Sequence, residues 1–248
     1  MRNNIRGELT VAHSREQFSL KDNSFIAAVA SSLRIGCSKE MKYIRDALLP
    51  VLMSCATSAG NVKTLEELLN QGADVNSTTD YDGRTALHVA CVEGNSEAVK
   101  FLLKHGASTQ VRDRFNTSPL DDAIKFRHKE IVKTLRKAGA KLMKTSMETA
   151  VELCRLAAKN RVDDLLVWQL AGVDLNACDY DKRTPLHVAV CRNNAETVAF
   201  LLEHGVNPYL CDVFGSTPLD NARSYELENI VHMLEEYCGV RQLSILSI

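Results

Sequence analysis

Four of the seven histidines fall in two pairs with a common offset of 99, His88 with His187 and His105 with His204, and imidazole is the side chain suited to moving protons near neutral pH. Cys91 and Cys191 follow His88 and His187 by one helical turn, a spacing that could build a thiolate–imidazole nucleophile. Such catalysis also needs an oxyanion site and a third group to orient the base, and no stretch supplies either. No two glycines stand four or five positions apart, which excludes a GxSxG elbow and a glycine-rich phosphate loop. Repetition accounts for the histidines better. A histidine that recurs with its surroundings, as in Thr85…His88 and Thr184…His187, belongs to a repeated structural unit. The two cysteines read as small buried thiols.

Composition narrows the function further. The eight cysteines contain no CxxC pair, which fits reduced thiols in a cytoplasmic protein and argues against a disulfide framework or a zinc site; no metal or cofactor is expected. A formal net charge of −1 gives no general attraction to nucleic acid or to acidic membranes. The apolar stretch from Phe25 to Ala30 is too short for a membrane span and lies behind a mixed polar segment, unlike a secretion signal.

The elements that must position these residues are written in the repeat itself. DYDGRTALHVA, from Asp80 to Ala90, returns as DYDKRTPLHVA from Asp179 to Ala189, and Gly106, Gly139, Gly172 and Gly205 follow at intervals of 33, with Gly72 preceding Gly106 by one position more. Thr85 supplies a helix N-cap, Leu87 and Ala90 begin an apolar face, and Gly94-Asn95 breaks the chain. A second helix carries Val99, Leu102 and Leu103 at helical spacing and ends at Gly106, where a left-handed residue is needed. The segment that follows is too short for a third helix and reads as an extended finger. This order, with its TALH and TPLH runs, resembles the ankyrin repeat over roughly Met41 to Tyr237. The fold class expected is all-α: a solenoid of about six helix–turn–helix repeats with short hairpin fingers.

Four segments follow. Residues 1–38 read as an N-terminal tail with a short helix over Phe25 to Leu33, 39–142 as repeats one to three, 143–238 as repeats four to six, and 239–248 as a tail able to fold back. Pro50 marks a kink or a new helix start in the degenerate first repeat. Repeats three and six replace the motif histidine with Asp121 and Asp220. Repeat four lacks the TPLH motif, but Thr145-Ser146-Met147-Glu148 forms a capping box. Because Gly139 to Gly172 keeps the common interval of the other glycines, the six repeats are expected to form one continuous stack, with Trp168 buried on the apolar face of repeat four where the halves meet.

A narrower resemblance lies in RDALLPVLMSCATSAGNVKTLEELL and VELCRLAAKNRVDDLLVWQLAGVDLNACDYD, which are similar to the C-terminal ankyrin region of cytosolic L-asparaginases of the lysophospholipase-like kind. Asn4 to Thr10, NIRGELT, resembles the closing segment of the bacterial-type asparaginase domain, and the DYD runs also resemble the ankyrin tail of glutaminases. That family places its nucleophilic threonines in TGGT and GTD loops, and neither occurs here, so the resemblance carries over no catalytic residue. What it implies is an accessory, protein-binding role without catalysis in this chain, with an asparaginase catalytic domain as a candidate partner. The alternative is asparaginase or related amidohydrolase activity residing in a longer form.

The surfaces for such binding are the fingers, with Tyr81, Asp82, Arg84, Arg114, Phe115, Tyr180, Asp181, Arg183 and Phe214, because arginine and aromatic side chains most often dominate interfaces. A second surface is the basic run of repeat three, Lys125, Arg127, Lys129, Lys133, Arg136 and Lys137, which reads as a solvated face whose cations suit a helix C-terminus or as a dock for an acidic surface. Asn76, in LNQGADVN, stabilises a turn. The ankyrin resemblance also makes it a candidate for hydroxylation.

Overall fold

The computed structural model describes residues 39–78 and 82–246. The N-terminal segment 1–38, with its expected short helix, and Tyr81 lie outside the described residues. Among the described residues there are six helix pairs and no strand beyond the isolated bridge between Thr78 and Thr85. The pairs are α1 Lys39–Ser58 with α2 Val62–Asn70, α3 Ala86–Glu93 with α4 Ser96–Lys104, and α5 Pro119–Lys125 with α6 Lys129–Lys137. They continue as α7 Ser146–Ala158 with α8 Val162–Leu170, α9 Pro185–Cys191 with α10 Ala195–Glu203, and α11 Pro218–Ser224 with α12 Glu228–Leu246.

Local chemistry sets these boundaries. The first helix of repeats two to six starts behind an extended Ser or Thr N-cap, and the side chain three residues on (His88, Asp121, Glu148, His187, Asp220) accepts the cap's own N–H, so orphan donors at the helix start are satisfied. Each helix pair is joined through one left-handed residue, Gly60, Gly94, Arg127, Asn160, Asn193 and Glu226 in turn. At Gly94, φ is +76° and an added Cβ would lie 2.6 Å from the His128 ring. Helix α1 runs through Pro50 without a restart; its buried Leu49, Leu52, Met53 and Ala56 hold it against α2 and α3. Helix α12 likewise continues through Leu246 instead of ending near Tyr237, since only Gly239 interrupts it and one glycine costs about 1 kcal/mol relative to alanine.

The buried apolar side chains form one continuous core from Leu49 to Leu234. Second helices stack on one another along the whole array. First helices stack α1 on α3 on α5, and α7 on α9 on α11, but α5 and α7 do not stack in this way, and α5 reaches α8 instead. The cause is a trade between loop and helix. Only positions 138–145 separate α6 from α7, where the longer stretch 105–118 separates α4 from α5. Helix α7 has 13 residues where α5 has seven. The glycine phase survives because the helix gains what the loop loses. Repeat four therefore has no finger.

Candidate protein-interaction surface

The histidines are built into the scaffold. His88 Nδ1 accepts from the Thr85 N–H (3.2 Å) and hydroxyl (2.9 Å), which fixes the neutral tautomer with Nε2–H donating to the Thr117 carbonyl at 3.1 Å. His187 repeats this with Thr184 and the Ser216 carbonyl, also at 3.1 Å. Burial lowers the pKa of both rings, and protonation would set a third donor against the two already aimed at Nδ1. Burial also raises the thiols: Cys91 lies far above the ordinary range and Cys154 is pushed up to about 12. Cys191, expected to be buried like Cys91, is instead exposed at the end of α9. A thiol held protonated is no nucleophile.

The fingers are braced against one another. Arg114 N–H donates to the Asp82 carbonyl at 2.8 Å, and in the second half Val213 N–H donates in the same way to the Asp181 carbonyl at 3.0 Å. Ion pairs join Asp82 to Arg114 at 2.6 Å, Arg84 to the buried Asp122 at 2.5 Å, and Arg183 to Asp181 at 2.9 Å and to Asp179 at 3.2 Å. Burial raises the Asp122 carboxyl and Arg84 pulls it back. The turns themselves are fixed by Asp113, Asp179 and Asp212, each accepting two backbone N–H bonds. The charged finger residues thus engage one another. The aromatic ones do not: Phe115 is 64% exposed, Tyr180 78% and Phe214 87%. Asn76 also bridges fingers, its Oδ1 accepting from Ser108 N–H at 2.8 Å and its Nδ2 donating to the Gly106 carbonyl at 3.3 Å.

The basic run divides. Arg127 makes a two-toothed pair with Asp164, and Lys129 meets Asp163 at 2.9 Å, so both bind repeat three to repeat four. Arg136 donates to the Ala140 carbonyl at 2.8 Å and lies against Gly172, Lys133 pairs with Glu130 at 2.8 Å, and Lys125 sits over the Phe126 ring. Lys137 is exposed. Beside this run, where α5 and α7 part, lies a cleft of about 570 Å³ floored by Ile124, Leu156 and Trp168. Trp168 is only 6% exposed, with the Lys144 ammonium 5.0 Å from its ring centre.

A family model for ankyrin repeats, in three copies, matches the chain twice, over residues 52–146 and 154–242. The chain belongs to the ankyrin-repeat family. It is 40% identical over 228 residues to an L-asparaginase of Dirofilaria immitis, a match covering 92% of this chain and 38% of that protein. It is 37% identical over 198 residues to a 60 kDa lysophospholipase of Mus musculus, covering 79% and 35% respectively. A potassium channel KOR1 of Oryza sativa subsp. japonica is 35% identical over 192 residues, covering 77% and 22%. The chain therefore spans well under half the length of these curated relatives.

Within this ankyrin array, the third helical position follows a pattern in repeats two, three, five and six that repeat four does not share, since Glu148 stands there although the finger of Asp179 to Arg183 follows. Histidine stands at the third helical position of repeats two and five, where a following finger offers a carbonyl to its Nε2–H. Aspartate stands there in repeats three and six, where none follows: Asp121 and Asp220 bond back to their own caps, and Asp121 Oδ1 is buried without a partner. The replacement of the motif histidine by Asp121 was the available signal that no finger follows repeat three.

Proposed function

We propose that this chain is a non-catalytic scaffold that binds a protein partner through its finger tips, and that it serves as the accessory region of an asparaginase-like enzyme in the cytoplasm. The observation that carries the reading is the exposure of Phe115, Tyr180 and Phe214 on fingers whose charged groups are engaged with one another. Aromatics on a rigid support lose little conformational freedom on binding, and such residues form the hot spots of interfaces. The likeness to an L-asparaginase and to a 60 kDa lysophospholipase supports the choice of partner. The thiols, buried and held protonated at Cys91 and Cys154, fit a reducing compartment.

The test is to mix the chain with the asparaginase catalytic domain of the Dirofilaria immitis relative and measure association by calorimetry. Saturable binding is expected, with Phe214→Ala and Tyr180→Ala each weakening it roughly 10-fold or more. The competing reading is asparaginase activity in a longer form, favoured by the 38% of the L-asparaginase that the match covers, which leaves room there for a catalytic domain. On the scaffold reading, the purified chain releases no ammonia from asparagine; release that co-purifies with it overturns the non-catalytic assignment.

A further inference from the structure

The geometry points to a peptide site in the cleft between α5 and α7, which receives an extended, acidic segment of a protein partner where repeat four lacks its finger. This deepens the scaffold reading, on which it rests, by naming the chemistry of one bound element.

Within each half of the array a finger lies beside its predecessor through one backbone hydrogen bond, Arg114 with Asp82 and Val213 with Asp181. The 138–145 connection is six residues shorter than the 105–118 one, so the side of the repeat-three finger formed by Phe115, Asn116 and Thr117 borders open cleft. An extended chain is the shape a finger would have presented there, and backbone pairing with an open edge is a common way to hold one.

Charge selects what fills the cleft. The carboxylates lining it are engaged by neighbours: Glu148 by its Thr145 cap, Glu152 by the Arg155 guanidinium, Asp164 by both Arg127 and Arg161, and Asp121 by its Ser118 cap through Oδ2, its buried Oδ1 having no partner. Three ammonium groups in the lining, Lys125 at the end of α5, Lys144 in the short connection and Lys159 capping α7, make no ion pair among the described residues. They come from three separate segments around an apolar floor of Ile124, Leu156 and Trp168. An extended peptide alternates its side chains between two faces, repeating along each face at roughly 7 Å. A segment alternating acidic and apolar residues therefore sets carboxylates toward the lysines and apolar groups on the floor, whereas a lone small anion leaves the floor uncovered.

Trp168 is the sole tryptophan and forms part of that floor, so its fluorescence reports occupancy in the intact chain. An eight-residue peptide alternating Glu and Val is expected to change its emission saturably, and a Lys-Val peptide and inorganic phosphate are not. The double variants Lys125→Glu/Lys159→Glu and, as a milder pair, Lys125→Met/Lys159→Met should weaken peptide binding at least 10-fold. Lys133→Glu/Lys137→Glu, outside the cleft, should leave it unchanged, with circular dichroism checking that each variant folds. No saturable response to the Glu-Val peptide overturns the proposal, as does an equal response to phosphate, which would make the cleft a small-anion pocket, or equal weakening by the variants outside the cleft. The Phe214→Ala variant separates the two readings, because it should impair partner association and spare the peptide. A chain that holds its partner through the fingers yet ignores the peptide refutes the cleft site alone, and one that takes the peptide but no partner refutes the scaffold reading alone.

Discussion

Replacing Trp168 by alanine probes the join between the two three-repeat modules most directly. A tryptophan side chain buries on the order of 200 Å², and with 6% left exposed almost all of it is withdrawn from water. At about 25 cal/mol per Å² the gross loss approaches ~5 kcal/mol, an upper bound, because alanine keeps part of the burial and the unfolded chain is not fully extended. One side of the ring faces the cleft, so water can enter the space left behind and the cavity penalty shrinks toward the low end of the range for large aromatic truncations, ~3 kcal/mol. Losing the Lys144 ammonium over the ring adds about 0.5–1 kcal/mol. The expected total is thus ~3–4 kcal/mol, read from urea unfolding followed by far-UV circular dichroism. Helix α8 packs on both α6 and α10, and in a repeat array stability passes between neighbours. Hydrogen exchange should accordingly lose protection in the Ile131–Leu135 stretch and in the Val198–Leu202 stretch alike. A cost below ~1 kcal/mol, or protection lost only beyond Thr145, would refute a shared core across the junction.

Other perturbations test the local devices. Burial holds His88 and His187 below the ordinary histidine pKa, so below about pH 6.5 the unfolded chain binds more protons than the folded one and stability falls as the solution is acidified; a His88→Gln/His187→Gln double variant, compared by thermal melts, should show a flatter slope in that window. Asp122, whose carboxyl burial raises, contributes with the opposite sign and is present in both proteins. Gly94→Ala should cost about 2 kcal/mol or more, since the left-handed backbone alone costs ~1–2 kcal/mol and the new methyl meets the His128 ring; denaturant midpoints unchanged from the parent would contradict this. Of the described cysteines, the exposed Cys178, Cys191 and Cys211 should react with a thiol reagent in the native state, while Cys91 and Cys154 should react only on unfolding, as peptide mapping of the labelled sites would reveal.

The sequence by itself determined the repeat, its phase and the ends of most helices, because the signals are local. A Thr N-cap and its third-position acceptor lie three residues apart, a left-handed glycine follows the second helix of repeats one to five, and apolar side chains recur every three or four residues. The aromatic finger tips were legible for the same reason: a hairpin of fixed length between two capped helices presents its tip to solvent. The charged finger residues were placed on the right element, but their engagement with one another was hidden, since Asp82 meets Arg114 and Arg84 meets Asp122 only once repeats are stacked. The basic run looked uniform along the chain, yet Arg127 and Lys129 point at Asp164 and Asp163 in the next repeat. Only the tertiary structure decided that α5 and α7 part and leave a cleft. A period counts residues and is blind to whether they are spent in loop or helix, so the glycines stay in phase while six residues pass from finger to α7. Whether neighbouring helices then touch depends on the path those residues take through space, to which every packed side chain contributes.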